Sequence, residues 1–412
     1  LHYRLNKDCV LVEGQARGAI YALTTGRVYS INQGAVNLLQ ACRQAALEDI
    51  MDLTLSDNKL YLSFLDRLTA LGLGAGYTDP PPDQKRALSD YKPQLEFLWL
   101  ELTTSCNNRC LHCYSASSPH TPAGLVPHNR WLDLISEARR QGANSIQLIG
   151  GEPLLYPRWQ ELIVKARQEN YELIEIFTNA TLVNDDCIDF FKQHNISIAT
   201  TIYADNALVH DTVTLHEGSF EKTMAAVKKL LANDIPLRIA SIIMQANEHE
   251  VENIMNLYAR LGLEPAPPDV VRPTGRGDDQ ALLPLTYSKP MIKPPFFTDA
   301  ETFDKSRKFH SCLAGRVAIT ANGDVIPCIF ARDQICGNIL KSSLADILNG
   351  QLLAECWCTT KDCVNKCKAC EYRYACYDCR PLAQGTDPQK SWQAAPADCL
   401  YNPYTGKWEE DN

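Results

Sequence analysis

The stretch TTSCNNRCLHCYSA, residues 103–116, follows directly on the apolar run LEFLWLEL and sets Cys106, Cys110 and Cys113 within eight positions. The run before it reads as a β-strand, so three thiols crowd the loop that leaves the strand. The spacing is C-x3-C-x2-C, three ligands where a closed zinc site takes four. Three thiolates on one loop can hold three irons of a 4Fe–4S cube and leave the fourth iron open to substrate or cofactor. A zinc site completed by His112 or a distant residue is the alternative.

From about residue 94 strands and helices alternate. LEFLWLELT, SIQLIGG, ELIEIFTNA, ISIATTIYA, LRIASIIM and PPDVVRPTG read as strands. NRWLDLISEARRQG, RWQELIVKARQEN, CIDFFKQHN, GSFEKTMAAVKKLLAN and EHEVENIMNLYARLG read as the helices between them. Each βα unit takes about 25 to 30 residues, as a right-handed parallel crossover requires. Six such strands give an open doubly wound sheet or an incomplete barrel, and both place function at the strands' C-terminal ends. Before this region, CVLVEG, GAIYAL and RVYSIN read as a three-stranded meander. Three helical stretches follow, with Asn32, Asp57 and Asn58 as caps. The order β-β-β-α-α-α resembles a small winged-helix domain. The Pro-rich YTDPPPDQ reads as a linker. Beyond residue 285 periodicity fades and cysteines accumulate.

Composition excludes several classes. The 412 residues suit two or three domains. The net charge of −9 disfavours a nucleic-acid partner. No apolar run approaches the roughly 18 residues of a membrane span, and no export signal is visible. The expected location is the cytoplasm. There a set of 17 cysteines reads as metal ligands rather than disulfides. Only Cys9, Cys42 and Cys187 fall outside the first cysteine loop and the region from Cys312 to Cys399.

Cys106, Cys110, His112 and Cys113 resemble the C-x3-C-x-φ-C signature of the radical S-adenosylmethionine (SAM) superfamily, and Tyr114 after His112 is familiar in one branch of it. A second motif, LIGGEPLLYP, ends the next strand. The resemblance implies that Gly150, Gly151, Glu152 and Pro153 bind the amino group of SAM. By position Asn179, Thr201 and Tyr203 fall where relatives contact its ribose and carboxylate. The usual Ser and Asp of the fourth strand are Thr and Tyr here. VVRPTGRG matches the strand end near the adenine, with Gly275 and Gly277 open to a plain turn role. The implied fold is α/β, an incomplete (β/α)6 TIM-type barrel.

The C-terminal cysteines resemble the SPASM extension: Cys312, then Gly323-x4-Cys328, then Cys367, Cys370, Cys376 and Cys379, then Cys399. One interval departs, Cys376 to Cys379 being x2 rather than x3. The resemblance implies two auxiliary 4Fe–4S clusters, three clusters in all. Cys367, Cys370, Cys376 and Cys399 would hold the outer one, and Cys312, Cys328 and Cys379 the inner one. The inner cube is then one thiolate short unless Cys356, Cys358 or Cys363 closes it.

These resemblances divide the chain into a winged-helix-like, leader-recognising unit (1–80), a linker (81–93), a radical SAM partial barrel (94–284) and a SPASM domain (285–412). They imply a peptide maturase that forms a thioether or carbon–carbon crosslink. Its substrate would be a ribosomally made precursor whose leader adds a strand to the meander, and its reductant a flavodoxin or ferredoxin. Peptide epimerisation is the runner-up, with Cys336 the one candidate hydrogen donor. An anaerobic sulfatase-maturing enzyme is a third reading, and a non-enzymatic iron–sulfur protein for electron transfer or binding a fourth.

Overall fold

The computed structural model describes residues 1–52, 58–82, 86, 91–290 and 293–409. The chain opens with β1 (His2–Leu5), β2 (Cys9–Glu13), β3 (Arg17–Ala22) and β4 (Arg27–Asn32), then α1 (Gln33–Ala41), α2 (Leu47–Ile50), α3 (Lys59–Ala70) and β5 (Gly74–Tyr77). Strands β2, β3 and β4 form the expected antiparallel meander. The pair β1–β5 departs from the β-β-β-α-α-α order. Gly74 and Gly76 carry no strand propensity, and only their pairing with β1 extends them. Asn32 caps α1, its Oδ1 accepting from the Ala35 N–H at 2.9 Å. Asn58 does not cap α3; its amide donates to the Asp52 carbonyl instead. Asp57 lies outside the described residues.

The meander is covered on both faces. Ile20, Ala22 and Ile31 pack on Val36, Leu39, Leu65 and Leu68 of the helices. The alternate residues Val12, Ala19 and Tyr21 pack on Phe296, Phe303, Tyr372 and Tyr374, far along the chain. Period-two alternation in β3 thus serves two cores at once.

The large sheet is built from β6 (Phe97–Glu101), β7 (Ser145–Ile149), β8 (Leu173–Phe177), β9 (Ser197–Thr201) and β10 (Leu237–Ala240), all parallel neighbours. Its crossovers are α4 (His128–Arg140), α5 (Trp159–Gln168), α6 (Asp185–Gln193), and the pair α7 (Ala207–Thr214) and α8 (Ser219–Ala232). Helix α4 buries Trp131, Leu134, Ile135 and Ala138, and α5 buries Trp159, Leu162, Ile163 and Ala166. Both sets follow i, i+3, i+4, i+7, the spacing of one helix face. At Ser241 the sheet breaks, the hydroxyl donating to the Ile202 carbonyl at 2.6 Å. Strand β11 (Ile242–Ile243) continues, followed by α9 (Val251–Arg260) and β12 (Asp269–Val270), which pairs with β11. The barrel is therefore partial.

The C-terminal region contains α10 (Ala300–Lys308), β13 (Arg316–Ile319), β14 (Asp324–Ile326), β15 (Gly337–Asn338), α11 (Leu344–Leu348), α12 (Gln351–Trp357), α13 (Arg380–Thr386), β16 (Tyr401–Asn402) and β17 (Lys407–Trp408). Strand β13 pairs parallel with β6, so the sheet order is β10-β9-β8-β7-β6-β13-β14-β15. The loss of periodicity after residue 285 does not mark a break in packing: Val317 and Ile319 share one core with Leu98 and Leu100. Among the described residues no helix is long and apolar enough to cross a membrane.

Candidate active site

Strand β6 presents Leu98 and Leu100 to the helices and its alternate residues Phe97 and Trp99 to a cavity of about 540 Å³. Cys106, Cys110 and Cys113 line the same cavity. Burial pushes the Cys106 thiol up to about 12, and Cys110 higher still, so these thiols ionise only when a cation joins them. The Asn108 N–H donates to Cys106 Sγ at 3.4 Å and Ser115 Oγ lies 3.4 Å from Cys113 Sγ. Such contacts orient thiolate ligands and tune a cluster.

Close backbone approach explains the glycines. A Cβ on Gly150 would stand 2.7 Å from the Thr103 carbonyl oxygen, and one on Gly151 2.2 Å from that of Ser105. Both glycines therefore lie flush against the chain that leads into Cys106. Gly275, at φ +61, would set a Cβ 2.3 Å from the Tyr114 carbonyl oxygen. Beside it Arg276 ties the cysteine loop down: its N–H donates to the Cys113 carbonyl at 3.0 Å, Nε to Cys110 and Nη2 to Ser117. Gly275 and Gly277 thus clamp the loop.

His112, Tyr114, Gly150, Gly151, Asn179, Thr201 and Tyr203 line the cavity. The His112 ring packs on Tyr203 at 5.1 Å, and burial lowers its pKa to about 4, leaving it neutral. Tyr114 meets Phe330 edge-on at 5.3 Å. Glu152 and Pro153 are not among the residues that line the cavity. The Glu152 carboxylate is fully buried behind it and accepts from Thr178 Oγ1 (2.7 Å), the Asn179 N–H (2.8 Å) and the Leu154 N–H (3.0 Å). It joins the ends of β7 and β8 and positions Asn179. Burial outweighs these hydrogen bonds and raises its pKa to about 7.

Cys367, Cys370, Cys376 and Cys399 line a second, small cavity of about 50 Å³. Cys312, Cys328 and Cys379 are mutual electrostatic neighbours, and Arg272 joins them: it lines the main cavity while its charge acts on Cys379 and Cys328. The Arg272 guanidinium also stacks on Phe330 at 4.6 Å. Cys336 does not reach the main cavity. It is buried in the core beside Cys356, which hydrogen-bonds to it. Cys358 and Cys363 are exposed neighbours. Sequence reading missed Arg272, Arg276, Lys361 and Asp378. Their only signal was charge beside cysteines or glycines, which in isolation reads as a solvated surface.

The chain matches two known domains. The Radical SAM superfamily matches residues 100–258, and the SPASM iron–sulfur cluster-binding domain matches residues 312–371. An AdoMet-dependent heme synthase of Methanosarcina barkeri is 26% identical over 317 residues, covering 69% of this chain and 90% of that protein. The antilisterial bacteriocin subtilosin biosynthesis protein AlbA of Bacillus subtilis is 26% identical over 299 residues, 67% of this chain and 66% of that one. Among solved structures, Streptococcus suis SuiB bound to precursor peptide SuiA has a TM-score of 0.58 at 13% identity, covering 95% of this chain and 99% of that one. This last likeness is one of fold.

Proposed function

The chain belongs to the radical SAM superfamily and carries a SPASM iron–sulfur domain, and from that premise we propose that it matures a ribosomally made precursor peptide by forming a thioether or carbon–carbon crosslink. It is an enzyme that binds SAM and 4Fe–4S clusters. When bound, SAM and its cluster supply, on one-electron reduction, a 5′-deoxyadenosyl radical that takes hydrogen from an unactivated carbon. The chain's residues bind, orient and exclude water. Cys106, Cys110 and Cys113 hold the cluster, while Gly150 and Gly151 bring the next strand end against its loop. Glu152 holds Asn179 toward SAM beside Thr201 and Tyr203. Trp99, Tyr114, Phe177 and Phe330 wall the cavity, and their rings keep water from the reacting carbon. Cys367, Cys370, Cys376 and Cys399 hold the outer auxiliary cluster, and Cys312, Cys328 and Cys379 an inner one with an open fourth position.

The observation that carries the peptide reading is the free edge of β2. It has β3 on one side and, among the described residues, no strand on the other. A cavity of about 1150 Å³ opens at its Cys9 end, lined by Lys7, Asp8, Arg43 and Tyr77. An extended leader can add as a strand there. The relative named for heme synthesis keeps that chemistry as the second reading. We place the enzyme in the cytoplasm, reduced by a flavodoxin or ferredoxin. The test is mass spectrometry of the precursor peptide encoded beside the gene, after reaction with reconstituted enzyme, SAM and reductant. A product lighter by two hydrogens, made only when the leader is present, is expected. An unchanged precursor alongside conversion of a heme precursor would transfer the assignment to the second reading.

A further inference from the structure

The second cavity holds a cation with no evident structural need. Lys361 lines it together with Cys367, Cys370, Cys376 and Cys399, and is only 8% exposed. Its Nζ lies 3.3 Å from Asp378 Oδ1, yet neither atom makes an aligned hydrogen bond. Asp378 is already engaged by Arg380 and faces His310 Nε2 at 3.3 Å. One buried carboxylate therefore answers two permanent cations. A surplus buried positive charge costs several kcal/mol unless another anion faces it. Lys366 lines the same cavity, but its ammonium is spent on the Cys399 carbonyl at 2.6 Å.

We propose that Lys361 is the charge-compensating residue of the outer auxiliary cluster, an unspent ammonium facing its thiolates that holds its reduction potential up. This rests on the reading that Cys367, Cys370, Cys376 and Cys399 ligate that cluster. A four-thiolate 4Fe–4S centre is anionic and gains one further negative charge on reduction. A nearby cation in a poorly solvated pocket therefore favours the reduced form. Asp378 lies between Cys376 and Cys379 in sequence, which places Lys361 beside the short link joining the two cysteine sets.

The test uses the full chain, reconstituted with iron and sulfide, in a background with Cys106, Cys110 and Cys113 changed to Ala so that only auxiliary clusters titrate. Potentials are followed by electron paramagnetic resonance. In Lys361→Gln one of the two midpoints should fall by an amount equal to a tenfold bias against reduction, ~59 mV for one electron. Lys361→Arg should restore it. If Gln loses one cluster's iron while Arg keeps it, the positive charge is needed even to hold the cluster, which also supports the proposal. Unmoved midpoints with full iron in Lys361→Gln, or loss of iron in Lys361→Arg, would overturn it. Iron analysis of Cys399→Ala reports on the ligation separately: undiminished iron there defeats the ligand assignment, whatever Lys361 does.

Discussion

Glu152 shows how far a motif carries at the scale of one residue. Its place in Gly-Gly-Glu-Pro was legible because chemistry at a strand end demands fixed spacing. That its carboxylate faces Thr178 and Asn179 was not, because 26 residues separate the partners and only the β7–β8 pairing joins them. Its raised pKa gives a signed prediction. The folded state keeps the proton up to about 7, whereas an ordinary carboxyl loses it near 4.5. Between those values the folded chain binds more protons than the unfolded one, so this residue's contribution to stability falls as pH rises. The loss by pH 8 is ~3 kcal/mol. Denaturant titrations of SAM-free protein at pH 5 and pH 8 should show a smaller difference in Glu152→Gln than in the parent. An equal difference in the two proteins would mean that Glu152 ionises normally.

At the scale of an element, the cysteine loop depends on its neighbours as much as on its own residues. The barrel strands and all five expected helices, α4, α5, α6, α8 and α9, were legible because their apolar spacing is regular. Helix α7 was not, its ALVHDTVT being rich in β-branched residues that disfavour helix. Strand β5 was hidden by its glycines. Gly151 lines the cavity and also admits the Ser105 backbone. Gly151→Ala should therefore push the loop away from β7. Expected is loss of most SAM-cluster iron and at least a tenfold fall in 5′-deoxyadenosine formation, with auxiliary-cluster iron retained. Gln147→Ala, lower on the same strand, should keep the iron. Full iron in Gly151→Ala would show that the loop holds its shape without the close approach.

Over the whole molecule, the sequence suggested a recognition unit joined by a linker, and the structure shows a sheet built into the C-terminal region. The Gln15 N–H donates to the Ala369 carbonyl at 2.8 Å, Tyr21 OH to that of Glu371 at 2.8 Å, and Arg373 to that of Glu13 at 2.7 Å. No local pattern reveals such contacts, because each partner alone is an ordinary loop or strand residue. Deleting residues 1–80 should thus do more than abolish leader-dependent modification. It should also strip the outer cluster, seen as loss of one cluster's iron, while SAM cleavage persists. Retention of all iron by the truncated chain would show the N-terminal unit to be separable. The central claim is that the loop after β6 holds the SAM-binding cluster, and its most direct test is Cys106, Cys110 and Cys113 changed together to Ala. Reconstituted under reductant with SAM, this variant should lack one cluster's iron and make no 5′-deoxyadenosine, while keeping the auxiliary-cluster signals. Continued 5′-deoxyadenosine formation near the parent rate would contradict the assignment.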